Sequence, residues 1–165
     1  MVGRFRSIDE TGASAVEFAI VAAILFMLVF GIIQFGIAYY RLQGLQAAAR
    51  EGARVASIGG TQSDVATRVR QSQNGFAGTD IQISMASSSD DGNTWSANFC
   101  DDAGGTQCTS NSAPTPCTTT GLGNLIRVTA TVPSTNTTYA ISIPLWGSAN
   151  MTYTSSGTFR CEKSG

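Results

Sequence analysis

Residues 18–40 read FAIVAAILFMLVFGIIQFGIAYY, and this uncharged run of 23 residues decides the fold. At about 1.5 Å per residue, a helix of this length covers roughly 35 Å, which is enough for the hydrocarbon core of a bilayer. Gln34 is its one strongly polar residue, and Tyr39 and Tyr40 close the run, where amphipathic aromatic rings favour a membrane interface. We therefore predict a membrane-spanning helix. A cleaved secretory signal is the alternative, but its apolar region is usually only about 7–15 residues long.

Helix-forming residues continue beyond the membrane run. Residues 43–60 read QGLQAAAREGARVASIGG, in which good helix formers dominate until Gly59-Gly60. We predict one long helix over residues 13–58, roughly 68 Å in length, with residues 18–40 in lipid. Small residues recur at every fourth position in two stripes, which lets a neighbouring element approach closely. We expect the membrane stripe to pack against other helices, and the outer stripe to pack either against other subunits or against the chain's own domain. The stripes are Ala15, Ala19 and Ala23 inside the membrane, and Gly44, Ala48, Gly52 and Ala56 outside it.

Residues 59–165 have the pattern of a small α+β domain. A short amphipathic helix is expected within residues 61–73, with Thr61 or Ser63 as its cap and Asn74-Gly75 as its end. Alternating apolar residues then predict four or five antiparallel strands, with one face of the sheet on the outer half of the long helix. Asp91-Gly92 is the expected hairpin turn before Trp95 and Phe99. The alternating positions are Ile81, Ile83 and Met85; Ile126, Val128, Ala130 and Val132; Tyr139, Ile141 and Ile143; and Met151, Tyr153 and Phe159.

The four cysteines indicate an oxidising compartment. They lie between Cys100 and Cys161 in a region rich in serine, threonine, asparagine and glycine. Three pairings are possible. We favour Cys100–Cys108 with Cys117–Cys161, because the short loop closes at low entropic cost and the second bridge ties the tail to the loop. Zinc is the alternative, although the cysteines lack CxxC spacing and the chain has no histidine.

Two features of the sequence bear on the orientation of the membrane span, and they point in opposite directions. Arg41, Arg50 and Arg54 follow the span and only Arg4 and Arg6 precede it, which favours a cytoplasmic C-terminus. The cysteine usage favours the opposite orientation. We give the cysteines more weight and predict that residues 59–165 lie outside the cytoplasm, stapled by disulfides.

The composition argues against enzymatic chemistry. Without histidine, the Ser/His/Asp, Cys/His and histidine-ligated zinc chemistries are excluded, so we predict no catalytic residues, no metal and no cofactor. A formal net charge of −1 gives no reason to expect nucleic-acid binding. One acidic cluster has the residue types for calcium but not the spacing of an EF-hand loop, so we favour a solvated turn. The cluster is Asp90, Asp91, Asn93, Asp101 and Asp102.

Glu17 is an acid inside an otherwise apolar and small stretch. A charge in a membrane helix costs on the order of 2–3 kcal/mol at mid-depth and less near the interface, so Glu17 is a functional candidate. The alternative is a solvated acid placed favourably at a helix N-terminus. A polar leader, residues 1–12, precedes this stretch and ends in Gly12.

The leader, Gly12, the Glu17-Phe18 pair and the long apolar helix together resemble type IV prepilins of the Tad/Flp branch. The resemblance implies that a prepilin peptidase cuts between Gly12 and Ala13. The new amine at Ala13 would lie one helical turn from Glu17, on the same face. A buried carboxylate needs a cationic partner, so this pair could set the axial register between subunits, as a single buried polar group does in coiled coils.

A motif of six residues follows the membrane run and consists of Ala49, Arg50, Glu51, Gly52, Ala53 and Arg54. This motif narrows the resemblance to the TadE-like family, the pilin-like subunits of the Tad (tight adherence) pilus system. The resemblance covers about Gly12 to Ala56 and implies a minor pilin or pseudopilin without catalytic residues. Its implied partners are other pilin-like subunits, the major pilin, the peptidase and the Tad assembly machinery. Its implied location is the inner membrane, then the pilus or cell surface. A signal-anchored surface protein whose outer domain binds a ligand or a surface is the alternative.

Overall fold

One long helix forms the first part of the structure. The computed structural model describes residues 10–99, 117, 121–143 and 147–162. Helix α1 extends from Glu10 to Ser57 and contains 48 residues. It begins three residues before Ala13, so in the uncut chain the helix continues across the predicted cleavage position.

The two halves of α1 have different surroundings. In the membrane run Phe18 is 75% exposed and Ile32 is 73% exposed, whereas Leu45 and Ala53 are completely buried against the rest of the chain. The most apolar window of 18 residues has a mean hydropathy of 2.8, and none of it is buried. Within the described part of the chain, α1 is the one helix that is long and apolar enough to cross a membrane. These properties indicate a single-pass anchor.

Helix α2, Gln62–Ser72, packs across the outer half of α1. It starts with a capping box: the Asp64 amide donates to the Thr61 hydroxyl at 3.1 Å, and the Thr61 amide donates to the Asp64 carboxylate at 2.9 Å. Of the two caps that the sequence allows, Thr61 and Ser63, Thr61 is the one that the structure shows. The helix ends at Ser72, before the expected Asn74-Gly75, because Gln73 is already extended and its side chain binds the backbone of the next turn.

The main sheet has four antiparallel strands, which agrees with the predicted α+β class. The strands are β1 Gln82–Ser88, β2 Ser96–Phe99, β3 Leu125–Val132, β4 Ile141–Ile143, β5 Gly147–Ala149 and β6 Tyr153–Arg160. The order across the main sheet is β2-β1-β3-β6, and a separate two-stranded sheet joins β4 to β5. Met85 lies opposite Val128 on β3, and Val128 lies opposite Gly157 on β6.

One face of the main sheet forms the core with α1 and α2. The alternating apolar residues of β1 and β3 are buried, as the sequence predicts. The opposite face is polar: Thr131 and Thr154 share a hydrogen bond at 3.3 Å, and the Arg127 guanidinium stacks 3.6 Å above the Trp95 ring. The expected placement of one sheet face on the outer half of the long helix is therefore confirmed.

Two strand boundaries differ from the predictions. Tyr139 was expected in a strand, but it belongs to a 3₁₀ turn, Thr137–Tyr139, and β4 begins only at Ile141. The Asn136 side chain accepts a hydrogen bond from the Thr138 amide at 3.1 Å, and this local bond favours the turn over an extended chain. The last strand begins at Tyr153 rather than at Met151.

A disulfide joins Cys117 to Cys161, with 5.3 Å between their Cα atoms. Both sulfurs belong to the buried core. The Cys161 amide also donates to the carbonyl of Asn124 at 2.7 Å, and the Glu162 amide donates to the carbonyl of Ser57 at 3.0 Å. The tail is thereby tied to the end of α1. Cys100 and Cys108 lie outside the described residues.

Candidate functional site

From Gly12 to Phe18, the described side chains near the start of α1 are exposed. Gly12, Ala13, Glu17 and Phe18 are all exposed, and a Cβ atom added to Gly12 would meet no atom within 4 Å. Ala13 and Glu17 are four residues apart in a continuous helix, so they share a face one turn apart. Among the described residues, no basic side chain forms an ion pair with Glu17. The arrangement leaves its carboxylate available to an amine at Ala13 or to a neighbouring subunit.

The stripe in the membrane half is also uncovered. Ala15, Ala19 and Ala23 are exposed, and large apolar side chains such as Val16 and Phe18 surround them with at least 60% of their surface accessible. No described part of the chain covers this stripe. Lipid tails or other membrane helices must therefore cover it.

The outer stripe packs against the chain's own domain. A Cβ atom at Gly44 would lie 2.6 Å from the carbonyl oxygen of Asn74, and one at Gly52 would overlap Cγ2 of Val69. Ala48 and Ala56, the other two members, are completely buried. Of the two partners that the sequence left open, the structure places the domain against this stripe.

The small residues of the 49–54 motif face inward. Ala49 and Ala53 are completely buried and Gly52 is buried with them. Strand β6 crosses α1 at this point, because a Cβ atom at Gly157 would lie 2.6 Å from both the Ala49 carbonyl oxygen and the Arg50 Cα. The motif supplies a surface without side-chain bulk on which a strand backbone rests. Sequence reasoning missed Gly157, although a glycine inside a strand often indicates such an approach.

The charged residues of the same motif face outward. Arg50 and Arg54 are exposed, and Glu51 is half-buried. Arg54 pairs with Glu51 at 3.1 Å, and exposed pairs of this kind contribute little to stability. We define Arg50, Glu51 and Arg54 as the outer charged face. Within the described residues, the side chains of this face form no ion pair or hydrogen bond with the sheet domain.

A polar cluster connects the membrane exit to the domain. The Tyr139 hydroxyl donates to the Asp80 carboxylate at 2.7 Å and accepts from the Ala77 amide at 2.7 Å. The Arg41 guanidinium lies 5.1 Å from the centre of the Tyr139 ring. Burial, followed by the Asp80 carboxylate, raises the pKa of Tyr139, while the Ala77 hydrogen bond opposes this rise. Sequence reasoning missed this cluster. The one local feature of the sequence that pointed to it is Arg41, the basic residue directly after the span.

Asp90 and Asp91, the acidic residues of the turn, find their hydrogen-bond and ion-pair partners within the chain. The Asp90 carboxylate accepts hydrogen bonds from the Ser88 hydroxyl at 2.6 Å and from the Thr94 hydroxyl at 2.6 Å, and these donors lower its pKa to about 2. Asp91 pairs with Arg160 at 2.9 Å. Asp101 and Asp102 lie outside the described residues. Within the described ranges no group of three acidic or sulfur ligands is close enough to hold a metal. The hydrogen bonds and the ion pair of Asp90 and Asp91 agree with the predicted turn.

Comparison with known proteins gives one match. Residues 12–54 match the family model described as TadE-like protein, which confirms the resemblance seen in the sequence. No curated protein and no solved structure matches the chain. The matched residues are about a quarter of the chain and include the whole 49–54 motif, ending at Arg54. The match indicates a protein associated with a Tad pilus system.

Proposed function

We propose that this chain is a minor pilin or pseudopilin, a structural subunit that assists assembly of a Tad pilus. One observation carries the proposal: a single helix is exposed over most of its membrane half and docked to the chain's own domain over its outer half. The bare half is held in lipid before assembly and packs against other membrane helices afterwards. The family match to residues 12–54 supports this role, because it includes both halves of the helix.

The proposed mechanism begins with cleavage after Gly12 by a prepilin peptidase. Cleavage exposes an amine at Ala13, one helical turn from Glu17. Helices in lipid gain little from the hydrophobic effect when they associate, so close packing and polar contacts provide the attraction. Ala15, Ala19 and the other small residues of the membrane stripe would allow the close packing. Glu17, paired with its own amine or that of a neighbour, would set the axial register.

The outer half of the molecule would provide the contacts above the membrane. The domain is locked to α1 by the Gly157 crossing and by the tail bonded to Ser57. A subunit inserted through its helix therefore carries the domain in a fixed orientation. The outer charged face would then contact other pilin-like subunits, the major pilin or the assembly machinery. The disulfide between Cys117 and Cys161 supports a location outside the cytoplasm.

The register role is tested with Glu17→Gln, which removes the charge and keeps the shape. We expect the variant to reach the membrane at the normal level but to be lost from complexes pulled down with other Tad subunits. Gln34→Leu is the matched control, since it also changes a polar residue within the helix but leaves the N-terminal pair intact. If Glu17→Gln entered these complexes as efficiently as Gln34→Leu, the register role would be wrong.

A further inference from the structure

The side of α1 that carries the domain can be followed down into the membrane run. Residues 18 positions apart in an α-helix are separated by about five full turns, at roughly 3.6 residues per turn, so they point to the same side. Two such lines are Ala13, Gly31 and Ala49, and Glu17, Phe35 and Ala53. Ala49 and Ala53 are completely buried by the domain. Glu17 therefore points to the domain-bearing side of the helix, and we call the two lines the Glu17 side.

Phe35 gives an independent check on this alignment. It borders a recess at the lower edge of the domain together with Ile141 and Met151. On the Glu17 side the domain thus reaches down α1 to the level of Phe35, which belongs to the uncharged run of residues 18–40.

The opposite side of α1 is open over both halves of the helix. Val29 lies two residues before Gly31, which places it about 200° around the helix at nearly the same depth. Ala47 continues the line of Val29 about five turns further on, and both residues are exposed. We call this line the open side. A second full-length α1 can lie along it without meeting this chain's domain.

The domain limits the length of any helix that packs on the Glu17 side. From Glu17 to Phe35 the helix rises about 27 Å, at roughly 1.5 Å per residue, and a bilayer core is about 30 Å thick. A parallel helix packed here lies about 8–10 Å from the axis of α1, so it meets the lower edge of the domain as it leaves the membrane. A second copy of this chain does not fit, because its own α1 continues to Ser57 and carries a domain.

Glu17 favours a protein over lipid on this side. Among the described residues no basic side chain forms an ion pair with its carboxylate. A carboxylate that faces lipid tails costs free energy, and the cost falls when a partner supplies a cation or hydrogen-bond donors. Lipid tails offer neither, whereas the start of a neighbouring helix offers unpaired backbone N–H groups and an N-terminal amine.

We propose that the Glu17 side of α1 receives a single-span helix from a different subunit, one that has no folded domain directly above the membrane. Second copies of this chain are thereby confined to the open side. The steric limit comes from the fold alone, but the identification of the partner as a subunit rests on the proposed function. The proposal adds to that function which side of the helix each class of partner can occupy.

The test is photocrosslinking in cells that express the full chain, because all copies inserted by a cell have the same orientation. The photoreactive residue p-benzoylphenylalanine replaces either Gly31 on the Glu17 side or Val29 on the open side. A Cβ atom at Gly31 meets no atom within 4 Å, and Val29 is exposed, so both positions accept the large ring. Each variant is expressed with one of two epitope-tagged probes, a full copy or a copy that ends at Gln43. The short copy lacks the domain but keeps the membrane helix, which satisfies its own backbone hydrogen bonds in lipid.

At Gly31 we expect the short copy to be captured severalfold more than the full copy, whereas at Val29 the two copies should be captured about equally at matched expression. Equal capture of the two copies at Gly31 would overturn the proposal, because a full copy would then fit beneath the domain. Capture of neither copy at Gly31, with both captured at Val29, would also overturn it, since the Glu17 side would then accept no helix.

Failure of this proposal and failure of the proposed function give different results. The capture ratios at Gly31 and Val29 need neither leader cleavage nor the pilus machinery, so they can be measured in a host cell without a Tad system. A Glu17→Gln variant that still entered Tad complexes would contradict the register role and leave these ratios unchanged. Equal ratios would overturn the assignment of the two sides and leave the pilin role standing.

Discussion

The crossing of β6 over α1 makes Gly157→Ala the most informative single substitution. The added Cβ would lie 2.6 Å from the Ala49 carbonyl oxygen and from the Arg50 Cα, where ordinary contact begins at 3.4 Å. Both are backbone atoms, so no side-chain rotation relieves the overlap, and the strand and helix must separate by about 0.8 Å. Overpacking of this kind costs about 1–3 kcal/mol. At roughly 4–8 °C per kcal/mol for a domain of this size, we expect Tm to fall by at least several degrees.

The assay is thermal unfolding of the full chain in detergent micelles, followed by near-ultraviolet circular dichroism of the domain, because the membrane helix persists in the micelle. Ser156→Ala is the matched control, since it introduces the same residue at the neighbouring exposed position. We expect Ser156→Ala to unfold like the unmodified chain. If Gly157→Ala also did so, β6 would not rest on the helix backbone as described.

Three further outcomes follow from the same contacts. Gly52→Ala should lower the Tm of the domain despite a gain in helix propensity of about 1 kcal/mol, whereas Gly36→Ala, with no atom near its Cβ, should not. Replacing Cys117 and Cys161 together by serine should lower the free energy of unfolding by about 4 kcal/mol, as chemical denaturation would measure, because the bridge closes a loop of 44 residues. Hydrogen bonds lower the pKa of Asp90 from 3.8 to about 2, so its stabilisation is present above pH 3.8 and is lost as the pH falls through 2. The Asp90→Asn variant should not show this loss of stability at low pH, as acid unfolding followed against pH would measure.

Local patterns in the sequence were sufficient to predict the main secondary-structure elements. The uncharged run and the helix formers after it predict α1, and the Thr61 and Asp64 side chains predict the start of α2. Alternation of apolar residues predicts β1 and β3, because both strands bury one face against the helices. Each of these signals depends only on residues close together in the chain.

Contacts between distant residues could not be predicted in this way. Tyr139 continues an alternating pattern, yet a side-chain bond from Asn136 forms a turn there and directs the tyrosine ring toward Arg41. The sequence also could not predict which element packs against the outer stripe. Small residues at every fourth position suit a neighbouring subunit and the chain's own domain equally well. Only the fold shows that Gly44 and Gly52 contact α2 and the loop that follows it.

The 49–54 motif has two separate roles in this account. Its small residues are required by the close approach of β6, so larger replacements are expected to loosen the domain from the helix. Its arginines and glutamate contribute little to that docking, because their only described pairing is an exposed ion pair. Substitution of Arg50 is therefore expected to affect assembly more than folding.

The central claim is that the chain loses its leader and then exchanges lipid for protein neighbours. Intact mass spectrometry of the protein extracted from membranes of its native cell tests this most directly. We predict the mass of a chain that begins at Ala13, with residues 1–12 removed. A functional protein whose mass still includes Met1 to Gly12 would contradict the account and leave a simple membrane anchor in its place.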